Sequence, residues 1–214
     1  MHPTRIRDKK MKKFKNFTLL TLFVSAFVLT GCYKDDTNKK SGFSSPEEYI
    51  ENPSVKNAIN ESGIPVNYGD NPPALAGTYL VNGYFSDASY ELNSIVGTAF
   101  QSEIIFSRQT NTGKIDFEER IGGIKASGSG GYITGDNGRF TIYQESKQSG
   151  SEAGLPNGVS QTVVMMMSGT KANNGNLTAV KGITIITEIS NASYKSSEGL
   201  WRIWDATFYL QTGN

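Results

Sequence analysis

The chain carries one cysteine, Cys32, and one histidine, His2. A single cysteine excludes an internal disulfide framework. A histidine confined to position 2 leaves nothing downstream for a Ser-His-Asp triad or a histidine-ligated metal centre. Long hydrophobic runs are missing too. The apolar stretch 17-FTLLTLFVSAFVL-29 has 13 residues, whereas a bilayer-spanning helix takes about 20. No phosphate-binding loop is present, because Gly128-Ser129-Gly130-Gly131 has neither the lysine nor the following helix. Positive charge is scarce where it would matter. The whole chain of 214 residues has a net charge of +1, but seven basic residues precede Cys32. Residues 32–214 hold 14 Lys and Arg against 19 Asp and Glu, a net charge of −5. That balance gives no support for nucleic-acid binding.

What is present begins with an ordered N-terminal grammar. Lys9, Lys10, Lys12, Lys13 and Lys15 precede the short apolar run, which exits through small residues into Cys32. This is the pattern of a secretory signal. Met11 opens a complete basic region of its own, MKKFKNF, so residues 1–10 read as an upstream extension. Leu29-Thr30-Gly31-Cys32 resembles the lipobox of bacterial lipoproteins. The resemblance implies cleavage between Gly31 and Cys32 and lipid on the Cys32 thiol and amino group, with several acyl chains giving a durable bilayer anchor. Lys34-Asp35-Asp36 resembles the surface-export signal of some Bacteroidetes lipoproteins, which implies an outer-membrane lipoprotein facing the cell surface.

Four segments follow from composition. Residues 1–31 read as the signal with its extension, 32–45 as a lipidated flexible tether, 46–74 as a short helical segment and linker, and 75–214 as a β-domain. Ser45-Pro46-Glu47-Glu48 predicts a helix start with a capping box, and Asn52-Pro53 restarts the same grammar. Val55, Ala58 and Ile59 form one apolar stripe before Gly63. From Leu75 onward, strands are predicted near 76–84, 96–107, 113–122, 128–134, 138–146, 160–169, 178–190 and 200–210. Asn137-Gly138 is the sharpest hairpin signal. Eight short-connected antiparallel strands predict an all-β meander barrel of lipocalin/avidin-like class. A two-sheet β-sandwich is the alternative.

Alternation assigns the faces. In 201-WRIWDATFYL-210 and 162-TVVMMMS-168 both parities are apolar, so something covers the outside, and the N-terminal helices are the natural cover. Tyr79, Phe85, Tyr143, Met165, Trp201 and Trp204 are the candidate ligand contacts, weighed against plain core packing. Gly77-Thr78-Tyr79 is similar to the Gly-x-Trp element that opens lipocalins, with Tyr79 in the Trp place. That resemblance implies a barrel-closing pair of Tyr79 with Arg202 in the last strand. Most of residues 32–210 looks like an uncharacterised group of Bacteroidetes lipoproteins. That resemblance rests on 45-SPEEYIENPSVKNAINESGI-64, 70-DNPPALAGTY-79, 168-SGTK-171 and 199-GLWRIW-204. It implies location and fold class and adds no chemistry.

The expected function is that of a non-enzymatic, lipid-anchored envelope protein whose barrel binds a small molecule, glycan or protein. An accessory subunit of an envelope complex is the first alternative, with 83-GYFSDASY-90 as loop contacts through Tyr84, Phe85 and Tyr90. A carboxylate-based glycan hydrolase is the second, drawing on Glu103, Asp116, Glu118, Glu119, Glu188 and Asp205. Asp116 and Glu118 alternate with Ile115 and Phe117, as on a solvated strand face. No cofactor, metal or nucleic-acid partner is expected, and oligomeric state is not encoded legibly.

Overall fold

The computed structural model describes residues 43–89, 95–121, 124–149 and 156–211. Cys32, Gly31 and Lys34-Asp35-Asp36 lie outside the described residues, as does Tyr90.

Helix α1, Pro46–Glu51, starts where its sequence says it should. The Glu48 N–H donates to Ser45 Oγ, and Pro46 occupies the first turn, where its missing N–H costs nothing. The reciprocal half of the capping box shifts by one residue. Ser44 N–H and Oγ donate to the two Glu48 carboxylate oxygens at 2.6 Å each. Asn52 ends α1 and caps α2, Pro53–Ser62, its Oδ1 accepting from Ser54 and Val55 N–H. Gly63, with φ +62°, closes α2 through a bond to Ile59 O.

The β-domain is an eight-stranded antiparallel closed barrel in simple meander order, the architecture shared by lipocalin- and avidin-like proteins. Its strands are β1 Gly77–Ala88, β2 Ala99–Ser107, β3 Lys114–Ile121, β4 Ile124–Asp136, β5 Arg139–Ser149, β6 Ser160–Lys171, β7 Leu177–Ile189 and β8 Trp201–Leu210. β1 pairs β8 from Tyr79↔Leu210 to Ala88↔Arg202, which closes the cylinder. Asn137 and Gly138 both have positive φ (53° and 79°), the two-residue turn that matches strand twist between β4 and β5. β1 runs to Ala88, beyond the predicted end. A register shift between Phe85 and Asp87 breaks the alternation there. Residues 83–88 are therefore strand and not loop: Tyr84 faces out and Phe85 faces in.

The end of the barrel where β1 starts is packed shut. Tyr79, Phe106 and Phe208 meet at ring distances of 5.7–6.4 Å, with Phe140, Leu75 and Leu177 beside them. Each such aromatic side chain contributes on the order of 2–3 kcal/mol by burial. The Trp204 indole lies flat enough against β7 that a Cβ at Gly182 would collide with it.

Residues 43–67 form a strap over the outside of β4 to β8. Tyr49, Val55, Ala58 and Ile64 pack on Tyr132, Tyr143, Val164, Met166, Ile183, Ile185, Trp201 and Ile203. This is the cover that the doubly apolar strands β6 and β8 require. Polar stitches fix its register. Trp201 Nε1 donates to Glu61 Oε2 at 2.8 Å, Asn67 N–H to Thr141 Oγ1 at 2.7 Å, and Thr134 Oγ1 to Asn67 O at 2.7 Å. Tyr132 OH donates to Ser44 O. The uncovered outer surface of β2 and β3 is charged, with Arg120 joining Glu103 (3.0 Å) and Glu118 (2.7 Å). On β2 and β3, aromatics inside and charges outside are the reverse of a transmembrane barrel pattern. Among the described residues no helix is long and apolar enough to cross a membrane.

Candidate ligand site

Polar side chains collect inside the barrel at the end away from Tyr79. Strand pairing places them on one inward row: Gln144↔Met165 between β5 and β6, Met165↔Thr184 between β6 and β7, and Thr184↔Arg202 between β7 and β8. Glu119 on β3 and Ser102 on β2 enter the same interior from the opposite wall, on the parity of Ile115–Phe117 and Ile104–Phe106. Glu119 and Arg202 are each 2% exposed. Phe85 from β1 supplies an aromatic wall, with the Arg202 guanidinium 5.2 Å from its ring centre.

Burial governs the charges. Desolvation pushes the Glu119 carboxyl up to about 8, and the nearby Ser102 hydroxyl and Arg202 charge pull it back only in part. Glu119 is thus mostly the neutral acid at neutral pH. Desolvation also lowers Arg202, to about 10, against the opposing field of Glu119. It stays cationic at neutral pH. The Ser102 hydroxyl sits close enough to favour the carboxylate, yet its Oγ and Glu119 Oε1 meet no partner with hydrogen-bond geometry. Gln144 lies over β4 in space left by Gly128 and Gly131. It donates through Nε2 to Glu145 O at 2.9 Å, while its Oε1 is buried without a partner. Unsatisfied buried polar atoms cost about 1–3 kcal/mol each unless water or a ligand reaches them. Met165 and Thr184, although they face inward, are only partly buried. Both keep accessible surface.

The six predicted contacts divide between the two faces. Phe85, Met165 and Trp204 face the interior near the polar row. Tyr79 also faces inward, but in the closed end, where its hydroxyl donates to Leu75 O at 3.0 Å. Tyr143 and Trp201 face outward beneath the strap, Tyr143 with its phenol pushed up to about 12 by burial. The pair Tyr79–Arg202 is not formed. Tyr79 lies opposite Leu210 and Arg202 opposite Ala88, so they occupy opposite ends of the barrel. Arg202 covers Phe85 instead.

The carboxylates considered for hydrolysis are dispersed. Glu103 and Glu118 bond Arg120, Asp116 pairs with Arg108, Asp205 lies 3.5 Å from Lys181, and Thr162 Oγ1 donates to Glu188 at 3.5 Å. Of the six, only Glu119 is buried. Among the described residues no three His, Cys, Asp or Glu side chains converge as a metal site requires.

Glu119, Gln144 and Ser102 are not among the ligand contacts that the sequence predicts, and Arg202 is expected there only as the partner of Tyr79. All four had one legible signal: each is a polar residue on the apolar parity of its strand. No family model matches the chain, and no curated protein or solved structure matches it.

Proposed function

We propose that the chain is a non-enzymatic, lipid-anchored cell-envelope protein whose barrel takes up a small amphipathic molecule at the Arg202 end. One observation carries the ligand reading. A barrel packed with aromatics at one end holds, at the other, an inward set of Glu119, Gln144, Ser102 and Arg202 beside the half-buried Met165 and Thr184. A purely structural core gains nothing from buried oxygens such as Glu119 Oε1 and Gln144 Oε1 that meet no hydrogen-bond partner. Met165, unbranched and adaptable, is the side chain whose rotation opens the row. The closed Tyr79 end limits the site to a small ligand, or to one end of a larger one.

The test is titration of the purified chain with the neutral fluorophore N-phenyl-1-naphthylamine. Met165→Trp, which fills the open part of the row, is expected to weaken binding about tenfold or more while leaving the fold's circular dichroism intact. Undiminished binding by that folded variant refutes an interior site. The anchor rests on Gly31-Cys32 at the end of the apolar run. Cys32→Ala is expected to lose the mass of the lipid and to leave the detergent phase. Equal mass adduct and partitioning for parent and variant contradict it.

A second reading, an accessory subunit of an envelope complex, is favoured by the exposed outer face shared by β1 and the end of β8. Leu80 (42% exposed) lies across from Tyr209 (43%), with Tyr84 (50%) farther along β1. These three are the contacts such a partner would use.

A further inference from the structure

We propose that Asn157 is a site of spontaneous deamidation, and that the fold directs this chemistry to it in preference to three other Asn-Gly pairs. The site is independent of the barrel interior. Asparagine followed by glycine is the pair most open to the reaction, because glycine has no Cβ to hinder its own amide nitrogen as it approaches the preceding side chain. The chain holds four such pairs: Asn82-Gly83, Asn137-Gly138, Asn157-Gly158 and Asn174-Gly175. The reacting groups are the same in all of them, so their surroundings decide which one reacts.

The step balances with water as the only co-reactant. The Gly158 nitrogen attacks Asn157 Cγ. The N–Cγ bond forms, the Cγ–Nδ2 bond breaks, and ammonia leaves with the proton of the glycine N–H. Water then opens the cyclic imide at either carbonyl. Breaking the N–Cγ bond gives aspartate. Breaking the bond from the nitrogen to the Asn157 main-chain carbonyl gives isoaspartate, which lengthens the main chain by one carbon. The reaction needs a carboxamide that can turn toward the glycine nitrogen and a glycine N–H that is free to lose its proton.

Three of the pairs are held. Asn82 lies within β1 between Gln101 and Thr207, and its Oδ1 accepts from Gln101 Nε2 at 2.8 Å. Asn137 Nδ2 donates to Asp136 Oδ2 at 3.1 Å, within the two-residue turn that joins β4 and β5. Asn174 Oδ1 accepts from Asn176 N–H at 3.1 Å, and Gly175 N–H donates to Ala172 O at 2.9 Å. Asn157 differs in both respects. It is exposed, and Val159 N–H donates to Pro156 O at 3.0 Å, so Asn157 and Gly158 (φ +78°) are the central pair of the turn. Among the described residues nothing bonds the Asn157 carboxamide or the Gly158 N–H. This turn leads into β6 at the Arg202 end of the barrel, where Ser149 pairs with Ser160 and Ala88 with Arg202. Deamidation sets a carboxylate on that rim, beside Val159 where it packs with Ile189 and Tyr194.

The test is incubation of the full chain in mildly alkaline buffer, folded and in concentrated urea, followed by tryptic mass mapping. Cleavage after Arg108, Lys125, Arg139, Lys147, Lys171 and Lys181 puts the four pairs on separate peptides, so each serves as a control for the others. In the folded chain Asn157 is expected to convert about tenfold or more faster than Asn82, Asn137 or Asn174. In urea the four rates should draw together. Equal rates in the folded chain, or faster conversion at any of the other three, overturn the assignment of Asn157. A preference for Asn157 that persists undiminished in urea overturns selection by the fold and assigns it to the sequence alone.

Discussion

Glu119 is the residue whose burial ties the stability of the barrel to pH. Its folded value, about 8, stands above the ordinary glutamate value of 4.5. The stabilising contribution of the neutral acid is therefore complete below about pH 4.5 and is lost as pH rises through about 8. Loss of a few kcal/mol is expected across that window, at about 1.4 kcal/mol per pH unit. Glu119→Gln has the same shape and no proton to lose. Urea unfolding of the two chains should agree near pH 5 and diverge toward about pH 8, with the glutamine chain the more stable. Parallel curves would mean that water reaches Glu119 freely. The position of this residue was readable before any coordinates. In 114-KIDFEERI-121 the parity of Ile115 and Phe117 continues to Glu119, so a carboxyl sits on the apolar face. What parity could not show is that Arg202, on the strand farthest along the chain, shares the same interior. Cross-barrel neighbours depend on closure and stagger, which no local pattern records.

At the scale of elements, the strap is the part whose necessity was legible and whose fastening was not. Strands 162-TVVMMMS-168 and 201-WRIWDATFYL-210, apolar on both faces, demanded a cover, and α1, α2 and the extended chain after them provide it. The stitches by Asn67, Trp201 and Glu61 depend on three-dimensional register and left no sequence signal. Bulges had the same effect on strand ends. The shift between Phe85 and Asp87 hides the last residues of β1, and the length of the β1–β8 ladder separates Tyr79 from Arg202, which the lipocalin resemblance pairs. Asn52 is the pivot of the strap, ending one helix and capping the next. Asn52→Ala is expected to cost about 1 kcal/mol. Its effect should be local: hydrogen exchange should quicken in α1 and α2 and stay unchanged in β2 and β3. Uniform acceleration would show that strap and barrel unfold as one unit.

In the proposed reading the whole molecule joins an address to a container. The N-terminal grammar through Cys32 would supply the address, and the closed barrel, capped by aromatics at the Tyr79 end and polar within at the Arg202 end, the container. Ligand entry through the Arg202 end is the claim on which the account depends, and the competing site is the outer face of Leu80, Tyr84 and Tyr209. The direct measurement is where the neutral fluorophore N-phenyl-1-naphthylamine shifts the NMR signals of the chain labelled at methionine methyls and tryptophan indoles. The account predicts perturbation of the Met165 methyl and the Trp204 indole, with Met166 and Trp201 beneath the strap unmoved. Shifts confined to backbone signals around Leu80, Tyr84 and Tyr209, with Met165 and Trp204 silent, would contradict it.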